Sequence, residues 1–347
     1  MRLPADRKNI ALAIHVGLLV LAAVYWYAIT NIDAPFVYHP DEQAVVRRGL
    51  RMALTGDLNP HWFHYPTLMM YVDAAVFKLV KPFLDIPLEL GLRKGVQGGH
   101  PDVFAIYQAA RLVTICFSLG TLYLLLRLTS RVTFPIIASL AGITFVGSEL
   151  VRDSAASATV DMPMTFFVVA SLVSMVKFVD SARGEHPKER FLWFAAVLGG
   201  LAAGTKYNGA AILFAVPLAM WLAEMPLRWS LRRLPLLAML SVAVFLATTP
   251  YSILDVRTFL SPIIGMPYNF VHYSTGHLGA DEGSSFLKAI GQLFTRHSVL
   301  AVLALLSPLA ARKAAARKPL GLGSFSAVIF LGMVMAAKIF FPRNLMP

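Results

Sequence analysis

"NIALAIHVGLLVLAAVYWYAIT", residues 9–30, runs for 22 residues without a carboxylate, lysine or arginine. A helix needs about 20 predominantly apolar residues to cross the hydrocarbon core, so this stretch reads as a membrane span. Arg2, Arg7 and Lys8 precede it, as in a signal peptide, but the run exceeds a signal h-region and has no small-residue cleavage site. It is therefore expected to stay as the first span. The rest of the chain repeats the pattern: 57% of its 347 residues are hydrophobic and 14% are charged. Soluble domains carry about 45–50% apolar and about 25% charged residues.

Further apolar runs near 104–126, 132–148, 162–179, 191–204, 208–223, 234–248, 295–310 and 320–340 bring the expected number of spans to about nine. The fold class is all-α, a polytopic transmembrane bundle forming a single domain over residues 1–347. A formal charge of +12 does not point to nucleic acid, because the basic residues form no stripe with interleaved aromatics. They punctuate alternate loops instead. Arg127 and Arg131, Arg183 with Lys188 and Arg190, Arg228 with Arg232 and Arg233, and "ARKAAARK" at 311–318 mark one side. By the positive-inside rule that side and the N-terminus are cytoplasmic.

The outward segments are then unequal. The first loop, 31–103, and another at 249–294 are long, whereas "ELVRDSAASATVD" and "GTKYNG" are short turns. Within the first loop, "DEQAVVRRGLRMALTGD" and "PTLMMYVDAAVFKLVKPF" have helical apolar spacing and read as amphipathic interfacial helices, the first capped by Asp41. Reading 66–83 as a further span would invert every later loop. The lone Cys116 permits no intrachain disulfide, and the chain has no N-x-S/T sequon. The sequence stops at "KIFFPRNLMP", directly after an apolar run, so further C-terminal spans are expected to be missing.

No carboxylate falls in mid-span, which argues against a proton-driven transporter. Polar chemistry gathers in four outward groups: His39, Asp41 and Glu42; His61, His64 and Tyr65; Arg152, Asp153 and Asp161; Lys206, Tyr207 and Asn208. Carboxylates of this kind can serve as bases, and the cations can hold an anionic group. The plainer readings are an N-cap for Asp41 and Asp161, a surface ion pair for Arg152 with Asp153, and an interfacial lysine for Lys206. His61 and His64 lack a third ligand at supporting spacing, so no metal is assigned. A divalent ion at Asp41 and Glu42 is the open alternative. His272, Tyr273 and His277 stay unassigned.

"YHPDE", "NPHWFHYPTLMMYV", "VRDSAASATVDMPMTFF", "GLAAGTKYNGAAILF" and "TTPYSILDVRTFL" occur in an order that resembles the polytopic C-type (GT-C) glycosyltransferases. The likeness is to the bacterial branch related to protein O-mannosyltransferases and lipid A aminoarabinose transferases. It runs from residue 9 to about 260 and resumes at "FFPRNLMP", with Asn344 where an aromatic is expected and Ala156 where a polar residue is.

The resemblance implies an inverting transferase in a bacterial inner membrane. It would move a sugar from a polyprenyl-phosphate donor to a hydroxyl on a protein or cell-envelope glycan, outside the cytoplasm, with no cofactor beyond that lipid-linked donor. It implies a catalytic pair, Asp41 as base and Glu42 beside it as acceptor holder or structural partner. Arg152, Asp153, Asp161, Lys206 and Tyr207 would bind donor phosphate and sugar, and His39, His64 and Tyr65 are candidates for acceptor contact or for a role in the loop alone. Partners are then membrane lipid, the lipid-linked sugar and the acceptor; the sequence leaves sugar, acceptor and oligomeric state open. The competing classes are a non-enzymatic polyprenyl-phosphate or polysaccharide flippase or export protein, and an enzyme of another reaction such as a polysaccharide polymerase.

Overall fold

Long apolar runs leave the backbone no hydrogen-bond partner in lipid except itself, and helices are the outcome. The computed structural model describes residues 5–31, 39–83, 101–132, 134–182, 187–269, 321–324 and 326–327. Its helices are α1 (Ala5–Ile29), α2 (Pro40–Thr55), α3 (Leu68–Val80), α4 (Pro101–Val132), α5 (Pro135–Gly147) and α6 (Glu149–Ala156). There follow α7 (Asp161–Ser181), α8 (Arg190–Thr205), α9 (Ala215–Leu222), α10 (Leu227–Thr248), α11 (Tyr251–Leu254) and α12 (Val256–Phe259). Two 3-10 stretches, Lys81–Phe83 and Tyr207–Phe214, extend α3 and join α8 to α9. No strand occurs among the described residues.

Among the described residues four helices are long and apolar enough to span a membrane: Asn9–Ile29, Phe104–Arg131, Asp161–Ser181 and Leu227–Thr248. A fifth is counted if α5 and α6, bent by 63° at Ser148, form one broken span. The chain is thus an integral membrane protein. The runs at 191–204 and 208–223 do form apolar helices, shorter than a full span. The expected spans at 295–310 and 320–340 lie outside the described residues, apart from the short piece at 321–327. The turn expected at "ELVRDSAASATVD" instead contains the eight-residue helix α6.

The chain divides into two compact units. One comprises Met1–Pro60 with Thr67–Phe166, the other His61–Pro66 with Phe167–Pro347. In the first unit, Val46 and Leu50 of α2, Phe77 of α3, and Ile106, Tyr107 and Ala110 of α4 form a buried cluster with Ala158. The apolar face that made α2 amphipathic in sequence is therefore covered by α3 and α4. The α2–α3 approach is close: a methyl group at Gly49 would lie 2.8 Å from the Asp73 Cβ.

Asp73 itself is 2% exposed, and burial pushes its carboxyl well above the ordinary carboxylate range. A raised native pKa means that the folded state binds the proton more tightly than the unfolded chain. Its contribution is whole below the unfolded value of 3.8 and is lost as pH rises through the folded one. Stability measured against pH in micelles should accordingly fall across that window in the wild type. Asp73→Asn, which keeps the neutral shape, should flatten the fall and be the more stable protein at neutral pH.

In the second unit α8 packs on α10, with Ser241 Oγ donating to the Ala196 carbonyl at 2.9 Å. Small residues allow this closeness. At the end of α8 the chain turns sharply: Lys206 N–H donates to Ala202 O at 3.0 Å and Gly209 N–H to Lys206 O at 2.8 Å. A Cβ on Gly209 would lie 2.5 Å from the Ala202 carbonyl oxygen, a backbone atom that cannot step aside. Gly209→Ala should destabilise the protein by roughly 1–3 kcal/mol, the usual cost of overpacking, read as a lowered Tm in detergent.

Candidate functional site

The sequence "HPDE" builds its own helix start. Pro40 lacks an N–H and suits the first helical position. The cap therefore falls one residue earlier, on His39, whose backbone is extended at φ −135° and ψ 137°. Its Nδ1 accepts from the Asp41 N–H at 3.1 Å, and its own N–H donates to Glu42 Oε2 at 3.1 Å, closing a capping box. This corrects the expectation that Asp41 caps the helix. Asp41 sits in the first turn, where the positive end of the helix dipole favours a carboxylate. His39 Nδ1 also lies 3.8 Å from Asp41 Oδ2, within ion-pair range. A nitrogen that accepts the Asp41 N–H carries no proton, so the shorter cap bond is the contact that counts.

Glu42, the adjacent carboxylate, has a different fate. It is 0% exposed and accepts four hydrogen bonds. Oε1 takes Arg111 Nε at 2.8 Å and the Ala158 N–H at 2.7 Å. Oε2 takes an Arg111 terminal nitrogen at 3.0 Å and the His39 N–H. Arg111, itself 1% exposed, also donates to the Thr30 carbonyl at 3.0 Å, where the C-terminal end of α1 leaves carbonyls unpaired. One ion pair thus ties α2 to α4, to the end of α1 and to the turn before α7. The pair is bidentate and its remaining lone pairs are filled, the condition under which a buried ion pair holds.

Sequence reasoning missed Arg111. The signal was present, since "YQAARLV" sets an arginine inside an apolar span, and an ionisable group there marks a functional or paired site. Along α2, burial together with Arg51 and Arg47 lowers the Arg48 guanidinium to about 10, so it remains a cation at neutral pH.

The third predicted group lies in the same unit. Arg152 and Asp153, neighbours on α6, pair at 2.8 Å with 37% and 43% of their side chains exposed. Such an exposed pair contributes at most about 1 kcal/mol. Asp161 opens α7 and is 3% exposed. Between them Ala158 is fixed by Glu42, and the Thr159 hydroxyl, 4% exposed, has no hydrogen-bond partner among the described residues. A buried hydroxyl left unpaired is costly and invites a ligand.

Lys206, Tyr207, His64 and Tyr65 belong to the other unit. The Tyr207 hydroxyl donates to the Phe63 carbonyl at 2.9 Å, and the His64 ring stacks on Tyr268 at 3.9 Å between centroids with planes 3° apart. His64 Nε2 lies 2.8 Å from the Ile263 carbonyl and must carry the proton of that bond. Trp62 packs on both His64 and Tyr65, at 4.5 and 5.8 Å between centroids. The "HWFHYP" hexapeptide is thus built into the unit that follows it in sequence by a hundred residues. His272, Tyr273 and His277 lie outside the described residues. Among the described residues no group of three or more His, Cys, Asp or Glu could hold a metal ion.

Residues 96–254 match the family model described as dolichyl-phosphate-mannose-protein mannosyltransferase. That stretch contains Arg111, Arg152, Asp153, Asp161, Lys206 and Tyr207, and stops short of Asp41. Among curated proteins none matches the chain. The crystal structure of ArnT from Cupriavidus metallidurans in the apo state is similar with a TM-score of 0.64 at 18% identity, over 95% of this chain and 56% of that one. The same protein bound to undecaprenyl phosphate gives a TM-score of 0.66, again at 18% identity, over 95% and 57%. The chain spans a little over half the length of these relatives. With its helices, its spans and this likeness, the chain is a polytopic membrane protein of the GT-C glycosyltransferase fold.

Proposed function

We propose that the protein transfers a sugar from a polyprenyl-phosphate donor to a hydroxyl acceptor at the extracytoplasmic face of a bacterial inner membrane, with its N-terminus in the cytoplasm. The observation that carries this is the division of labour between two adjacent carboxylates. Glu42 is saturated by Arg111 and two backbone N–H groups, so it has no lone pair to spare for a substrate proton. Asp41, with 25% of its side chain exposed, is held beside it on the same helical turn. We assign Asp41 as the base and Glu42, through Arg111, as the group that positions it.

In this scheme the acceptor oxygen attacks the anomeric carbon as Asp41 takes its proton. The bond to the phosphate oxygen breaks on the opposite face, and the lipid phosphate leaves with the electron pair. Arg152, in the same unit as Asp41, is assigned to its growing charge, and the Thr159 hydroxyl to the sugar. The resemblance in the first-loop motifs, the mannosyltransferase family model and the capture of undecaprenyl phosphate by ArnT all support a lipid-linked donor.

The test is transfer of radiolabelled sugar from a panel of polyprenyl-phosphate sugars by the purified protein in lipid. Turnover with one donor supports the proposal and names the sugar. Donor binding without turnover in wild type or in Asp41→Asn would favour the flippase or export reading instead.

A further inference from the structure

The exposed apolar surface of α10 does not stop where the helix does. Only 11% of its apolar window is enclosed by protein, and Met239 and Val242 are 67% and 56% exposed. Beyond Thr248 the chain breaks into α11 and α12 and then folds back. Ile253 and Leu254 are 60% and 72% exposed there, Leu260 57% and Ile263 72%. Four large apolar side chains in water would forfeit about 1.5–3 kcal/mol each relative to an apolar setting. Arg257 stands exposed among them, the arrangement by which a basic side chain reaches headgroup phosphates while its neighbours enter the acyl boundary.

We infer that the segment from Tyr251 to Ile264 is an interfacial anchor seated in the lipid leaflet at the α10 terminus. The occupant of this face is bilayer lipid, because the face follows directly on the exposed apolar surface of α10, a helix long and apolar enough to span a membrane. The anchor has a fixed shape. Asp255 Oδ1 accepts the Thr258 N–H at 3.3 Å, and the loop closes through Gly265 N–H to Ser261 O and Met266 N–H to Phe259 O, both at 2.9 Å.

It is also wired to the first-loop hexapeptide. Phe63 N–H donates to the Ile264 carbonyl at 2.6 Å, and His64 Nε2 to the Ile263 carbonyl at 2.8 Å. The backbone of Ile263 and Ile264 thus carries His64 and Phe63, and Tyr207 bonds to Phe63 in turn. The inference stands whatever reaction the protein carries out.

The experiment replaces Cys116, the lone cysteine, with alanine and introduces Leu254→Cys, Leu260→Cys and Ile263→Cys singly for spin labelling. The whole protein is reconstituted into phosphatidylethanolamine and phosphatidylglycerol vesicles. Collision of each label with oxygen, which concentrates in lipid, is compared with collision with a water-soluble nickel chelate. Oxygen collision exceeding nickel collision at all three positions is the expected result. Nickel collision equal to or above oxygen would place the segment in water and overturn the inference. Low collision with both would mean that protein covers the face, whether the same chain or a second copy, and would overturn it equally. The three sites are exposed, so a melting curve matching wild type is expected for each labelled variant, and any one of them suffices for the comparison.

Discussion

Arg111→Leu is expected to destabilise the protein by about 3–5 kcal/mol, because the substitution strands a carboxylate that has no access to water. Glu42 is 0% exposed, and the two charge-assisted bonds from Arg111 bring a cation against it. The unfolding temperature in lipid nanodiscs reads the effect. The companion variant is Glu42→Leu with Arg111→Leu, which removes both charges together. It should recover part of the loss, but not all of it. The N–H groups of His39 and Ala158 would lose their acceptor, and unsatisfied buried donors cost about 1–3 kcal/mol each. A double variant no better than Arg111→Leu would mean that the pair is not an isolated unit. A single variant as stable as wild type would remove the ion pair from the account of how α1, α2, α4 and the 157–160 turn are held.

Asp41→Asn is expected to lower sugar transfer by about 10²–10⁴-fold, the usual contribution of a positioned general base. Melting temperature and donor binding should stay near wild type. The fold is largely spared because the capping box is made by the Asp41 backbone N–H, the His39 ring and the Glu42 carboxylate, all of which Asp41→Asn retains. The contrast with Arg111→Leu is the informative part: one variant loses turnover with its fold intact, the other loses the fold first. Full transfer by Asp41→Asn would reject the base assignment and favour a carrier that needs only cations.

Much of the fold was legible in the chain because lipid imposes a one-dimensional rule: a helix must be long and apolar, and the run at 9–30 has no other reading. The same holds for 104–126, 162–179 and 234–248, each of which lies inside a helix long and apolar enough to span. Boundaries were less legible. The helix α6 was read as a turn because its eight residues, "ELVRDSAA", carry charges that sequence alone cannot distinguish from a solvated loop. At the start of α2, one residue decided the cap. Pro at the first helical position places it on His39 and not on Asp41.

The candidate site divides along the same line. Residue types and motif order, "HPDE" and "HWFHYP" among them, were sufficient by themselves to single out Asp41, Glu42 and His64 and to raise the GT-C resemblance. Hydropathy could not tell which of two adjacent carboxylates is consumed by a cation. That depends on Arg111, 69 residues away, and on the Ala158 N–H, 116 residues away. Nor could it tell that His64 and Phe63 would bond to carbonyls some two hundred residues on. Local spacing sets which atoms can form a helix turn or cross a bilayer. Pairing of a buried charge is set by whichever segment the tertiary packing brings within 3 Å, and only the folded chain determines that.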